Sequence, residues 1–255
     1  MTSAVSIVTG GRRGLGRAIC EKLAQKGHNV LVVDVERDAA ADETVALLRR
    51  SGVNADFLAA DVGDEALHDG IIGAAGRLGT VTTLVNNAGV SSTVRGDMLD
   101  LPVESLDRAI RINLRAPFLL SQKFGRHVIK TGAATEHFCS IVNITSVNAE
   151  MIGVNRPDYC ITKTGLSMAT RLFAARLAEE KIHAYEVRPG IMMTEMTRPS
   201  REKYDRVIEE GLVPMRRWGT PADVGEAVAE LATGAFKFST GDAVFVDGGL
   251  HLYRL

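Results

Sequence analysis

Short runs of β-branched and aliphatic residues alternate along the whole chain with longer stretches in which apolar positions recur every three to four residues. Successive strand–helix–strand units produce this rhythm when they build a parallel sheet. The runs at 5–9, 29–34, 55–60, 83–86, 140–145, 184–187 and 243–246 read as strands, most of them near-continuously apolar, as strands covered on both faces are. The segments 15–26, 39–50, 65–77, 103–129, 158–180 and 221–231 read as helices, the last with Pro221 in its first turn and Thr220 as its N-cap. An unbroken alternation predicts a single α/β domain over residues 1–255, with a seven-stranded doubly wound parallel sheet and helices on both faces. Only 189–219 falls outside the rhythm, mixing methionines, Pro199, Pro214, charges and Trp218 between a strand and a helix. Its length marks it as a substrate loop or lid, the other reading being a surface excursion that holds subunits together.

Composition narrows the function. The chain has 255 residues, 45% of them hydrophobic, enough for one large core. With 30 basic and 31 acidic residues, it offers no global electrostatic case for nucleic acid or an anionic membrane, so a small-molecule substrate is expected. Cys20, Cys139 and Cys160 are odd in number and lack C-x-x-C spacing, which points to a reducing cytoplasm rather than a disulfide framework or a zinc site. The histidines show no metal-pair spacing, and no metal is assigned. No apolar run is long enough to span a bilayer, and residues 1–8 carry no basic leader.

The chemistry concentrates around Tyr159 and Lys163. Positions i and i+4 share a helix face, so the phenol and the ammonium point the same way. Ionising a tyrosine near neutrality takes a shift of about 3 units, or roughly 4 kcal/mol. One cation at about 4 Å in an effective dielectric of about 20 supplies roughly that. Taken alone, such a pair is mostly an ordinary amphipathic helix; with Ser146 upstream and a glycine-rich turn at the start of the chain, it describes an alcohol-to-carbonyl redox site.

That turn, Thr9-Gly10-Gly11-Arg12-Arg13-Gly14-Leu15-Gly16, follows the first strand and opens the first helix, where backbone amides and a helix N-terminus can cradle a pyrophosphate. Its spacing is G-x-x-x-G-x-G rather than G-x-G-x-x-G. Asp34 closes the second strand, in place to accept hydrogen bonds from an adenosine ribose. A 2′-phosphate there would meet like charge worth roughly 4 kcal/mol at about 4 Å. Arg12 and Arg13 pull the other way, but exposed ion pairs contribute only about 0 to 1 kcal/mol. The expected cofactor is NAD, with NADP less favoured.

The ordered set of Gly10 to Gly16, Asp61, Asn86-Asn87-Ala88-Gly89, Asn113, Ser146, Tyr159 with Lys163, and Pro189-Gly190 resembles the single-domain branch of the short-chain dehydrogenase/reductase family over essentially the full length, including its 3-oxoacyl reductase-like members. The resemblance implies a Rossmann-type fold and an NAD(P)-dependent oxidoreductase acting on CH-OH groups. It implies that Tyr159 is the acid and base, that Lys163 lowers its pKa and binds the nicotinamide ribose, that Ser146 bonds the substrate oxygen, and that Asn113 holds a water linking Lys163 to solvent. It further implies a cofactor site that includes Gly10, Arg12, Arg13, Gly14, Leu15, Gly16 and Asp34. Asp61 and Val62 would meet the adenine, Asn87, Ala88 and Gly89 would flank the ribose, and Ile191 with Thr194 would clamp the carboxamide.

The substrate is less legible. Segment 146–156 and the cluster Met192, Met193, Glu195 and Met196 are expected around the pocket, with Asn148, Glu150 and Arg95 as polar contacts for a polyol, sugar or hydroxy acid. The alternatives are a 3-oxoacyl-thioester reductase and, in another class, a non-catalytic NAD(P)-sensing regulator on the same fold. The apolar tail 248–255 is expected at a subunit interface of a homotetramer, the other reading being docking onto its own domain.

Overall fold

A computed structural model describes residues 3–252. The strands are β1 (Ala4–Thr9), β2 (Asn29–Asp34), β3 (Ala55–Ala59), β4 (Thr80–Asn86), β5 (Cys139–Ile144), β6 (Ile182–Pro189) and β7 (Ala243–Val246). The helices are α1 (Gly14–Gln25), α2 (Ala39–Arg50), α3 (His68–Gly76), α4 (Val103–Ala109), α5 (Ala116–Thr131), α6 (Pro157–Leu177), α7 (Arg201–Glu209) and α8 (Pro221–Ala232). All strands pair in parallel, in the order β3-β2-β1-β4-β5-β6-β7. The expected seven-stranded sheet is therefore present. Strand order reverses between β1 and β4, and ligands of open parallel sheets sit outside the carboxyl ends of the strands at such a point.

Alternating strand residues feed two cores. Ile7, Leu31, Leu84 and Ile141 pack with α3, α5 and α6 residues such as Ile71, Leu120 and Phe173. Val8, Val32, Val85 and Val142 pack with Ile19, Leu48 and Val228 from α1, α2 and α8. Both faces are dry, which explains why the strands lack polar alternation. At α8 the Thr220 hydroxyl accepts from the Asp223 amide and the Asp223 carboxylate accepts from the Thr220 amide, a reciprocal cap behind the first-turn proline.

Three expectations need correction. The helix expected over 103–129 is interrupted by a π segment, Ile110–Arg115, between α4 and α5. Pro117 has no N–H to return to the carbonyl of residue 113, four positions back, and the register widens just before it. Second, the 189–219 stretch is not all loop: α7 lies within it, fastened by Ile208 in a small cluster with Val147, Val213 and Leu250. Flanking prolines and dense charge mask the Tyr204–Ile208 helical spacing in the sequence. Third, Leu250 docks in that same cluster on its own domain, so this part of the tail is not an exposed interface element; residues 253–255 of the expected interface lie outside the described residues. Among the described residues no helix is long and apolar enough to cross a membrane.

Candidate active site

A cleft of about 1140 Å³ opens over the carboxyl ends of the strands and runs from the β1–α1 turn to the α7 region. At its first end, Gly10 and Gly14 adopt φ of +64° and +58°. A Cβ on Gly16 would lie 2.0 Å from the Gly10 carbonyl oxygen, so only glycine lets α1 start this close to β1. The N-cap of α1 is Arg13 in extended conformation, which offers no side-chain acceptor, and the first turn holds no acidic residue. The leading amides of α1 thus have no side-chain cap where they face the cleft, and the cradle fits an anionic pyrophosphate.

The neighbouring wall is tied to the same turn. Thr9 Oγ1 accepts from the amides of Asn87 and Ala88, both at 3.0 Å, while Asn87 Nδ2 donates to the carbonyls of Thr9 and Gly10 at 2.9 and 3.0 Å. Asn87, Ala88 and Gly89 all line the cleft, as do Leu15, Val62, Ile191 and Thr194. Asp61 lines it as well, ion-paired with Arg111 at 2.9 Å and accepting from the Gly63 amide. Asp34 stands at the lip of β2 and accepts from the Val35 amide at 2.8 Å and from the Arg12 amide at 3.3 Å.

Arg12 is not the exposed arginine weighed as a partner for a 2′-phosphate. Its guanidinium is buried, bonded to Glu36 and to Asp38 at 2.7 Å, with Asp34 at 3.9 Å. The hydrogen bond to Glu36 outweighs burial and keeps Arg12 firmly charged. Arg13, by contrast, is exposed.

Ser146 follows β5 and accepts a hydrogen bond from the Asn148 amide at 3.1 Å, which shapes the turn over residues 147–149. Tyr159 and Lys163 lie on consecutive turns of α6, as their spacing predicts. The start of α6 is anchored by Asp158, fully buried, whose carboxylate accepts from Ser92, from Ser105 at 2.7 Å and from the Tyr159 amide at 2.8 Å. Nothing in the sequence singles out Asp158 except its place beside Tyr159. It fixes the start of the helix that carries Tyr159 and Lys163.

Lys163 is buried, donates to the Ile144 carbonyl at 2.9 Å and lies 5.6 Å from the Tyr159 ring centroid. Burial lowers its pKa to about 8. Burial also pushes the Tyr159 phenol above its ordinary pKa; a hydrogen bond with Ser146 and the positive charges of Arg156 and Arg95 act against that rise. The lowering expected from Lys163 is not among the influences on the phenol here; Ser146 and the two arginines only offset part of the rise.

Asn113 lies behind the cleft rather than in its lining, fully buried within the π segment. Its Oδ1 accepts from the Val90 amide at 2.8 Å, and its Nδ2 donates to the Val90 carbonyl at 2.9 Å and to Thr162 Oγ1 at 3.3 Å. The side chain braces the turn after β4, so it is not free to take the water-holding role expected of this residue. Pro117 was the sequence signal for that backbone irregularity.

On the substrate side, Asn148 lines the cleft but donates its Nδ2 to the Met151 carbonyl at 3.0 Å. Glu150 does not line it; its carboxylate pairs with buried Arg188, which also binds Glu186 at 2.6 Å. A substrate contact at Glu150 is therefore not what this structure offers. Arg95, Met192, Glu195 and Met196 do line the cleft, joined by Arg156 from the 146–156 segment expected there and by Tyr204, which the sequence did not single out.

Residues 10–251 match the family model described as enoyl-(acyl carrier protein) reductase. Glucose 1-dehydrogenase 2 of Bacillus subtilis is 29% identical over 254 residues, spanning 99% of this chain and 96% of its own. The 2-dehydro-3-deoxy-D-gluconate 5-dehydrogenase of Dickeya dadantii is 31% identical over 247 residues, 96% of this chain and 94% of its own. A crystal structure of a 3-oxoacyl-(acyl-carrier protein) reductase from Brucella melitensis in complex with NAD superimposes with a TM-score of 0.93 at 41% identity, covering 100% of both chains. With these matches and the Ser146, Tyr159 and Lys163 constellation at one strand end, the chain belongs to the short-chain dehydrogenase/reductase family of nicotinamide-dependent oxidoreductases.

Proposed function

We propose that this chain is an NAD-dependent dehydrogenase that interconverts a secondary alcohol and a ketone on a small polar substrate, a sugar, polyol or hydroxy acid. The observation that carries the cofactor preference is the neutralised Arg12. With its Nη1 held by both Glu36 and Asp38, its charge is already balanced by acids of the protein, and Asp34 stands ready for ribose hydroxyls. A phosphate placed there would meet the carboxylates of Asp34, Glu36 and Asp38.

A bound nicotinamide supplies or accepts the hydride. The chain's own residues handle the proton. The Tyr159 hydroxyl donates to the carbonyl oxygen in reduction and, ionised, takes the alcohol proton in oxidation. The Ser146 hydroxyl polarises the same oxygen. Lys163, with ammonium protons beyond the one given to Ile144, would hold the ribose hydroxyls of a bound cofactor. The Asn113 carbonyl, denied an i+4 donor by Pro117, would hold a water for the relay to solvent.

Spectrophotometric screening of secondary alcohols and ketones with all four nicotinamide forms tests this reading. Turnover with NAD(H) and little with NADP(H) is expected. Cofactor binding without flux on any substrate would instead make the chain a sensor. The second reading, a 3-oxoacyl-thioester reductase, draws on the name of the Brucella relative; it calls for turnover of an acetoacetyl thioester exceeding that of small hydroxy compounds. We also place the protein in the cytoplasm as a homotetramer. Ile161, Met168 and Leu172 form an exposed apolar stripe along α6 that fits an interface, and light scattering would give the subunit number. Its cysteines are unpaired, as suits a reducing compartment.

A further inference from the structure

Resting on the dehydrogenase reading, we propose that the substrate carries a carboxylate, held by Arg156 and Arg95 with the Tyr204 hydroxyl beside them, so that the natural substrate is a small hydroxy acid or its keto form. The arginines lining the cleft differ in their partners, with Arg13 exposed at the glycine-turn end and without a carboxylate partner among the described residues. Arg12 and Arg111 are ion-paired with acids of the protein, and Arg108 donates to the Ser91 carbonyl. Arg95 and Arg156 have no carboxylate partner among the described residues, although both line the cleft on the side of Tyr159.

Arg156 is the stronger case. It is the residue that precedes α6, three positions before Tyr159, so its guanidinium enters the cleft from the same helix end as the phenol. Its Nε is buried with no hydrogen-bond partner. Among the described residues its guanidinium makes one hydrogen bond, a long one of 3.5 Å from Nη2 to the Tyr204 hydroxyl. A buried donor without an acceptor is costly, and a charged one more so, unless a ligand completes it. The stem is held by close approach to Gly153, where a Cβ would lie 3.0 Å from Arg156 Cγ.

Tyr204 is braced in turn. Its ring packs edge-on against Trp218 with centroids 5.8 Å apart, and Trp218 Nε1 donates to Asp205 at 2.7 Å. Burial alone would raise the Tyr204 pKa, but the hydrogen bond with Arg156 and the charges of Arg156, Arg95 and Lys203 bring it below the ordinary value. The acids lining the cleft are already engaged: Asp34 accepts from backbone amides, Asp61 pairs with Arg111, and Glu195 pairs with Arg198 at 3.3 Å. The substrate end therefore holds uncompensated positive charge inside a nearly neutral chain, and planar guanidinium is the side chain best matched to carboxylate. In oxidation the carbinol C–H bond gives its hydride to the oxidised nicotinamide. Its O–H proton goes to ionised Tyr159, and the carboxylate is unchanged.

The test titrates the complex with NADH, in which hydroxy acids cannot react, by calorimetry. The probes are D-gluconate, D-glycerate, 3-hydroxybutyrate and lactate, each against its uncharged amide. At least one acid should bind about 10- to 100-fold tighter than its amide, the range lost with an ionic hydrogen bond. Arg156→Gln should collapse that ratio toward one, Arg156→Lys should restore part of it, and Arg95→Gln should reduce it less, all with unchanged NADH affinity and circular dichroism. Equal binding of every acid and amide, or a preference that survives the Arg95→Gln/Arg156→Gln pair, would overturn the proposal while leaving alcohol turnover and the dehydrogenase reading intact. Absence of NADH binding by the unaltered protein would remove the dehydrogenase reading and this inference with it.

Discussion

The two ends of the cleft are built on different principles. At the cofactor end the determinants are backbone: glycines at 10 and 16 that a Cβ would obstruct, uncapped amides of α1, and a wall hung from Thr9. Arg12 is balanced there by Glu36 and Asp38 and Asp61 by Arg111, while Arg13 stays exposed. At the substrate end the determinants are side chains left unbalanced: Arg156, Arg95 and the Tyr159 they face. A fold can carry the first end unchanged between relatives, because it recognises what all nicotinamide cofactors share. The second end must be completed by each chain's own substrate.

The contrast can be broken most sharply at Tyr159. Tyr159→Phe should lose about 10²- to 10⁴-fold in kcat, the range of general acid–base catalysis, while NADH affinity measured by fluorescence is retained. Loss of both together would mean that the phenol belongs to the cofactor end.

Asp158 is a positioning residue on the substrate side. Asp158→Asn weakens its hold on Ser92, Ser105 and the Tyr159 amide, and should cost about 1.5–3 kcal/mol of stability in a urea titration. The lost activity should appear in kcat rather than in the KM for NADH; a change confined to cofactor binding would place the anchor at the wrong end.

A smaller effect is expected from Asp34→Ser, which removes one carboxylate near the ribose but leaves Glu36 and Asp38 on Arg12. The ratio of kcat/KM for NADPH over NADH should rise about 10-fold, as a like charge nearby in a partly exposed site warrants. An unchanged ratio would mean that Asp34 does not read the ribose.

The finest test is pH. In the proposed mechanism oxidation uses the Tyr159 phenolate and reduction the phenol, so kcat/KM for oxidation should rise with pH and that for reduction should fall. Burial raises the Tyr159 pKa while Arg156 opposes the rise, so Arg156→Gln should move both limbs to higher pH. A shift to lower pH would show that the guanidinium does not act on the phenol.

Much of this molecule was legible as sequence, because its strands are dry on both faces and its helices periodic; these patterns need only local chemistry to be read. The Tyr159–Lys163 pair, the glycine turn and Asp34 were legible for the same reason, since helix periodicity and strand ends place them. What local pattern could not reveal was partnership. Only the folded chain decides that Arg12 is neutralised by acids 24 and 26 positions away, that Glu150 turns to Arg188, that Asn113 braces a turn, and that Arg156 lines the cleft with Tyr159 without a carboxylate partner among the described residues. Secondary structure follows from neighbours in sequence, whereas the balance of charge in a cleft is a sum over side chains that meet only after the sheet has assembled.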